Sequence, residues 1–573
     1  MARSLSVYSF VAGLLCTTTV STLLIVASAR NWRITGGAYL TITGHRASIQ
    51  LSLQLLAGLL GLIHSTIVCR LINQAARIRL LRRPVVRLGT LKAWANLSIP
   101  RAQLDVPARY LAPVLAVACL SLVSSALWTG ALTPIPSSQL TQATVQVPSY
   151  GNTSLIREYP SEVDQTGPSI SNTMGIFTYS VGLLLLGNLM TSAASATTAD
   201  RSVRIHPKID NTHFVYHGRS YGVGASVGLV DGTITSMGLA TGYNYTETGY
   251  VANVSCVFNA STQFTIQPEE DTFLYPAAGP LPDSTSSGEF SVYIGHGDSA
   301  IVAIGVSADA DSPRRYLAIA AGSSYAALNA TQCTVDFVPT TFAVSVELGP
   351  RNISVTPLGA ADDLDPQRNL TRTLMRQYEL IANDLTEFYR STLGDALLSS
   401  VSSWNASYNA NHTVPEPRAT LAGVENALTA MADDMLVAYA GAQMMVANLT
   451  GTVPADVQVS AMAVGQPAYI IAVASLNFVV LVLFIVEIFR TGGWRAMHPY
   501  DFADPLWILA ASYRALKSGQ TETSYGLLSG RANDDDDAGA VVIMPSSEAS
   551  RVDLDTAIDL TEYRGAAMGS HIH

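Results

Sequence analysis

The feature that most limits this chain is a set of four long runs nearly free of charge, at residues 7–28, 49–69, 110–133 and 468–489. A backbone that crosses a bilayer must satisfy its own hydrogen bonds, so a span needs about 20 consecutive, mostly apolar residues. All four runs meet that requirement, and the last contains residues 478–486 without one polar side chain. Composition agrees: 13% of residues are charged, against roughly 25% in soluble globular proteins. The positive mean hydropathy excludes a chain disordered throughout, and the net charge of −10 argues against a nucleic-acid binder. A fifth apolar stretch, 176–190, is short and runs into small polar residues, so it reads as a buried helix of a soluble domain.

Positive charge in short connectors near a span is retained on the cytoplasmic side. Residues 70–109 hold Arg70, Arg77, Arg79, Arg82, Arg83, Arg87, Lys92, Arg101 and Arg109 against one acid, Asp105. That connector is expected in the cytoplasm. The third span then leads outward, residues 134–467 form an extracellular domain, and 490–573 return as a cytoplasmic tail.

Glycosylation acceptors test this arrangement without using charge. Asn-x-Ser/Thr motifs begin at Asn152, Asn244, Asn253, Asn259, Asn329, Asn352, Asn369, Asn405, Asn411 and Asn448, all in the expected outer segment. Elsewhere only Asn96 begins one, inside the basic connector. The first apolar run ends in Ala27-Ser28-Ala29, a signal-peptide-like cleavage site. Its length exceeds the roughly 7–15 apolar residues of such a peptide, so a retained span is the preferred reading and a cleaved leader the alternative.

Within the outer segment, residues from about 210 to 357 read as β-rich. Phe342, Val344, Val346 and Leu348 alternate with Ala343, Ser345 and Glu347, and Gly349-Pro350-Arg351-Asn352 breaks the run before Ile353 and Val355, a hairpin signal. Residues 290–306 and 316–320 read as further strands. Cys256 and Cys333 are the only cysteines of this segment and are expected to pair in an oxidising compartment. Cys16, Cys69 and Cys119 lie in apolar runs.

From about 365 to 450 the period becomes helical. Asp365-Pro366 gives a cap and a first helical residue, followed by Leu370, Leu374, Tyr378, Ile381, Leu385 and Phe388; a second stripe is Leu421, Val424, Leu428, Met431, Met435 and Tyr439. Each stripe needs a face to bury. The second series is expected to end near the last span as a membrane-proximal collar. The fold class is therefore α-helical transmembrane spans with a large α+β extracellular domain, β-rich first and helical second. Beyond the last span, Asp504-Pro505-Leu506-Trp507-Ile508-Leu509 reads as a short interfacial helix and residues 517–573 as disordered.

Chemistry is harder to find. Gly222-Val-Gly224-Ala-Ser-Val-Gly228 approximates a dinucleotide loop, but its last glycine is one place late and it lies in a β-rich region. His296-Gly-Asp298-Ser299 gathers triad residue types on adjacent positions, which suits a turn better than a nucleophilic site. Acidic pairs such as Glu269-Glu270 and Asp362-Asp363 are numerous, and nothing singles one out for a glycosidase. No metal or cofactor motif is found. In the spans, Asn477 reads as an interhelical hydrogen bond, Ala57 with Gly61 as a packing face, and His64 and Glu487 as groups near the cytoplasmic edge, Glu487 beside Arg490.

The strings His206-Pro-Lys-Ile-Asp, Gly218-Arg-Ser-Tyr-Gly-Val-Gly-Ala-Ser-Val-Gly-Leu-Val, Cys333-Thr-Val-Asp-Phe-Val-Pro-Thr-Thr-Phe and Pro499-Tyr-Asp-Phe-Ala-Asp resemble uncharacterised multi-pass membrane glycoproteins of filamentous fungi. The resemblance covers most of the chain. It implies surface residence and a fungal source, and carries no activity or site residues. The expected function is a plasma-membrane glycoprotein whose outer domain binds or senses cell wall, ligand or partner. A membrane-tethered hydrolase and a transporter or channel subunit are the alternatives; the bilayer is the one partner the sequence itself implies, and oligomeric state is not legible.

Overall fold

The structure is a computed structural model. It describes residues 2–82, 85–97, 108–157, 169–172, 175–178, 183–267, 274–285, 292–294, 297–309, 311–387, 389–409, 415–491 and 541–543. Contacts divide the chain into two units, Met1–Ser137 with Ala461–His573, and Ser138–Ser460.

The first unit contains the helices Ala2–Ala29, Arg46–Arg82, Ala108–Leu132 and Pro467–Thr491. Four stretches within them, Phe10–Ala29, Arg46–Ala76, Tyr110–Leu132 and Pro467–Arg490, are long and apolar enough to cross a membrane, and they coincide with the four runs read from the sequence. Their outward faces are oily: Leu51, Leu55, Leu59, Leu122, Phe478 and Phe489 are all exposed, a pattern that water penalises and lipid does not. Gly61 lets Arg46–Arg82 approach Ala108–Leu132 so closely that an added Cβ would lie 2.8 Å from the Ser125 nitrogen, and Ala57 is fully buried. The expected small-residue packing face is therefore present.

The interhelical hydrogen bond expected of Asn477 is also present, and its partner corrects the reading of His64. His64 lies buried in mid-helix, away from the helix end. Trp128 Nε1–H donates to its Nδ1 at 3.0 Å, which leaves Nε2–H to donate to Asn477 Oδ1 at 2.9 Å. One imidazole thereby ties three helices, with both ring nitrogens satisfied. At the end of the last helix Arg490 pairs with Glu487 at 3.5 Å and donates to the Ala75 carbonyl at 3.2 Å. Among the described residues of the basic connector, the second long helix continues to Arg82, and Leu88–Leu97 forms another. Leu, Ala, Gln and Arg at 71–82 are good helix formers, so charge ends the apolar stretch without ending the helix. The segments read as an interfacial helix at 504–509 and a disordered tail at 517–573 lie, apart from 541–543, outside the described residues.

The second unit is organised on one antiparallel ribbon. The strand Ala240–Phe258 pairs with Thr331–Glu347 without interruption, from Thr331 opposite Phe258 to Glu347 opposite Gly242. Asn352–Ala360 returns beside Thr331–Glu347 with Val344 opposite Val355 and Val346 opposite Ile353, the hairpin expected at 349–352. Thr450–Val464 lines the other side of Ala240–Phe258 and also pairs with Pro134–Pro148. Tyr316–Ala321 and Val302–Val306 extend the sheet beside the start of Thr331–Glu347.

Burial along the ribbon changes phase. Tyr243, Tyr245 and Glu247 are buried, then Tyr250, Ala252 and Cys256; opposite them Phe342, Val344 and Val346 give way to Val335, Cys333 and Thr331. Pairing shows no slip across this point, so the two ends of the ribbon turn opposite faces to the interior. Gly249 sits at the crossing, where a Cβ would press on Val223.

The helices Asn369–Asp384, Thr392–Asn409 and Glu416–Met445 follow. Leu370, Leu374, Tyr378 and Ile381 are buried, as are Val424, Leu428, Met431, Met435 and Tyr439, so both stripes form core; Phe388 lies outside the described residues. Two expectations need correction, the start of the first of these helices and the stretch 176–190. Asp365 caps from a distance: its Oδ2 accepts from Leu370 N at 2.7 Å and Thr371 N at 3.3 Å, while the helix starts at Asn369 rather than Pro366. Between the helix Glu416–Met445 and Pro467 the chain forms the strand Thr450–Val464, which joins the main sheet. Strands occupy most of the stretch from Ala240 to Ala360 and helices the stretch from Asn369 to Met445; the strands Pro134–Pro148 and Thr450–Val464, which flank those stretches, belong to the main sheet as well. The stretch read as a helix at 176–190 is a strand, Gly175–Thr178, and a helix, Leu183–Ala194; 290–306 holds two short strands, Val292–Ile294 and Val302–Val306.

Candidate functional site

Four glycines with φ between 73° and 97°, Gly218, Gly222, Gly224 and Gly228, bend the segment before the long strand through conformations that strain other residues. The loop closes onto the protein's own core: a side chain at Gly222 would collide with Leu436, and one at Gly228 with Phe214. Its polar groups also point inward. Lys208 Nζ donates to the carbonyls of Ala225 and Val227 at 2.9 and 2.7 Å and pairs with Asp210, and the Gly224 amide donates to Glu247 Oε2 at 2.9 Å. Tyr245 O–H reaches the same Glu247 oxygen at 3.3 Å, and Tyr243 O–H donates to Asp231 at 2.8 Å.

A second group of charges adjoins the first. Arg219 grips Asp433 in a two-point pair at 2.6 and 3.0 Å and donates to the Ala252 carbonyl at 2.6 Å. Arg204 binds the carbonyls of Ser195 and Ser192 at 3.1 and 2.8 Å. His206 stacks on Tyr216, with Nε2 3.8 Å from Asp434 Oδ1. Tyr216 O–H in turn donates to the Val223 carbonyl of the glycine loop at 2.8 Å, joining the halves.

Three cations, Arg204, Lys208 and Arg219, thus face five carboxylates, Asp210, Asp231, Glu247, Asp433 and Asp434, in a largely buried cluster. Three of the carboxyls hold protons more tightly than usual. Burial raises Asp433 against the pull of Arg219. Burial pushes Glu247 up to about 7 against the Gly224 and Tyr245 hydrogen bonds, and pushes Asp434 up to about 7 against the attraction of Arg204. Burial, with Arg204 nearby, holds His206 neutral down to about 3.

These shifts give the cluster a pH response. Each raised carboxyl adds stability that is complete below its ordinary range near pH 4 and gone above its raised value, about 7 for Glu247 and Asp434; the lowered imidazole adds stability that is complete above its ordinary 6.5 and lost as pH falls toward 3. Between these limits three raised carboxyls outweigh one imidazole. Stability is expected to fall from pH 5 to pH 8, as the raised carboxyls lose their protons in the folded state. Thermal midpoints of the wild type and a Glu247→Gln/Asp434→Asn variant check this: the variant should show a flatter profile, and parallel profiles would contradict the assignment.

The sequence did not single out Lys208, Glu247, Arg204, Arg219 or the Asp433-Asp434 pair. Its one available signal was that acidic pair, set inside the apolar run around Met431 and Met435. Cys256 and Cys333 stand directly opposite on the ribbon and are bonded. The nine described sequon asparagines are dispersed over the domain: Asn152, Asn244, Asn253, Asn329 and Asn448 are exposed and Asn259, Asn352, Asn369 and Asn405 half-buried. Asn411, His296 and Glu269-Glu270 lie outside the described residues. Asp298 and Ser299 lie in a short 3-10 turn, and Asp363 accepts from Tyr250 O–H at 3.1 Å. Among the described residues no three His, Cys, Asp or Glu side chains converge as metal ligands. No protein-family model, curated protein or solved structure matches the chain.

Proposed function

We propose that this chain is an integral membrane glycoprotein of the cell surface, with the unit Ser138–Ser460 outside, the basic connector and the C-terminus in the cytoplasm, and the outer domain engaged in binding or sensing. The observation that carries it is the distribution of sequons: ten lie in 134–467, none of the nine described asparagines is buried, and the remaining sequon, Asn96, sits among nine cations. A wall polysaccharide or another surface protein is the partner that a fungal glycoprotein of this kind would meet. The buried carboxylates are engaged by groups of the fold, which favours binding over a tethered hydrolase. Endoglycosidase treatment of intact cells is expected to increase the protein's gel mobility, with no sugar on Asn96. Unchanged mobility, or a glycan on Asn96, reverses the sidedness. Retention of the full-length, detergent-solubilised protein on insoluble wall glucan or chitin supports the binding role, whereas solute flux through it in liposomes supports a transporter.

A further inference from the structure

We propose that the connector between the first two long helices, residues 30–46, is a membrane-interface anchor: the helix Gly36–Gly44 lies in the boundary between acyl chains and headgroups, and Arg30, Arg33 and Arg46 hold lipid phosphates around it. The inference rests on the reading that the helices Ala2–Ala29 and Arg46–Arg82 span a bilayer, whichever side the connector faces. It goes beyond that reading by giving the connector an occupant.

The helix does not stand on its own sequence. It has nine residues and includes Gly36, Gly37 and Gly44, whereas an isolated helix in water is marginal below about 12–15 residues even when rich in alanine, and each glycine weakens it further. Burial by the protein does not make up the difference, because none of its residues is buried. No face of it carries a charge, which suits an apolar surrounding better than water. Thr41 and Thr43 suit it too: their hydroxyls donate to the Gly37 and Tyr39 carbonyls at 2.9 and 3.0 Å, within the helix.

Position and charge say what covers it. Gly44 stands two residues before the apolar stretch Arg46–Ala76, at most about 7 Å away along the chain. On the other flank the strand Arg33–Ile34 is paired with Ala463 and Met462, shortly before the apolar stretch Pro467–Arg490. Both flanks are thus tied to helix ends that a bilayer would hold. Trp32 is 53% and Leu40 57% exposed, and Tyr39 is half-buried; Trp and Tyr are the side chains that favour the membrane–water boundary. Arg30 and Arg46 are exposed and Arg33 half-buried, and none of the three has a side-chain hydrogen bond or ion pair among the described residues. No Asp or Glu precedes Asp105 in the chain. A guanidinium fork matches a phosphate in geometry as well as charge. An uncharged helix bracketed by unpaired arginines is complementary to a layer that offers hydrocarbon on one side and phosphate on the other, which is the lipid headgroup boundary.

The test is hydroxyl-radical footprinting of the full-length protein, one copy per lipid nanodisc, read by mass spectrometry. Trp32 and Tyr39 are expected to react several-fold more slowly than Tyr389, which is 93% exposed. Doping phosphatidylcholine discs with phosphatidylserine should deepen that protection. Arg30→Gln/Arg46→Gln, a change at two exposed positions, should abolish the dependence on phosphatidylserine and raise the Trp32 rate about twofold or more. Trp32 reacting as fast as Tyr389, protection indifferent to phosphatidylserine or to the double variant, or protection confined to discs that hold two copies each overturn the proposal. Phe478, exposed on the last long helix, reports the spanning reading separately: it stays protected if only the anchor is wrong, and reacts like Tyr389 if the helices do not span.

Discussion

Replacing Lys208 by methionine is expected to destabilise the protein by about 3–5 kcal/mol, the cost of removing one partner from a buried ion pair. Methionine nearly preserves the shape of the side chain, so packing changes little. What is lost is the ammonium that burial pulls below its ordinary value and that Asp210 pulls back up. The carbonyls of Ala225 and Val227 and the Asp210 carboxylate would then lack their shared donor. Thermal unfolding of the detergent-solubilised chain measures the loss, and a Lys208→Met/Asp210→Asn double variant should recover part of it, because the two changes act on one pair. A loss below about 1 kcal/mol would mean that glycine packing alone holds the loop, since typical single substitutions already reach that size.

Removing the disulfide with Cys256→Ala and Cys333→Ala is expected to cost about 4 kcal/mol in the chain-entropy model. The bond joins strands that are 77 residues apart in sequence yet directly opposite in the sheet. Its contribution therefore lies mainly in the unfolded chain, whose loop it closes, rather than in new folded contacts. Thermal midpoints of the double variant and of the reduced wild type should fall together by several degrees. A double variant as stable as the oxidised wild type would rule this account out.

How much of this was readable beforehand differs by element, for physical reasons. The four long apolar helices were legible because a stretch able to cross a bilayer gives one long uninterrupted signal. The Phe342–Val346 alternation, its hairpin and the two helical stripes were legible because each is local and has a single period. The strand Thr450–Val464 was missed although Ala455, Val457 and Val459 alternate with Asp456, Gln458 and Ser460; its small side chains give a weak contrast. The helix Thr392–Asn409 was not separated from its neighbours. The charge cluster was not legible, because it assembles residues from Ser192 to Asp434 through tertiary contacts that leave no spacing pattern. His64 was misplaced for a related reason: its role depends on Trp128 and Asn477, which only helix packing brings near.

The phase change near Gly249 has a consequence for how this sheet tolerates change in length. Removing Thr248 alone would rotate one arm of the strand by half a pleat relative to the other, so that the tyrosines 243 and 245 and the residues 250, 252 and 256 would all project from a common side. No exchange of one side chain for another produces that rearrangement. Deletions at this point should therefore be far less tolerated than substitutions at the same residue.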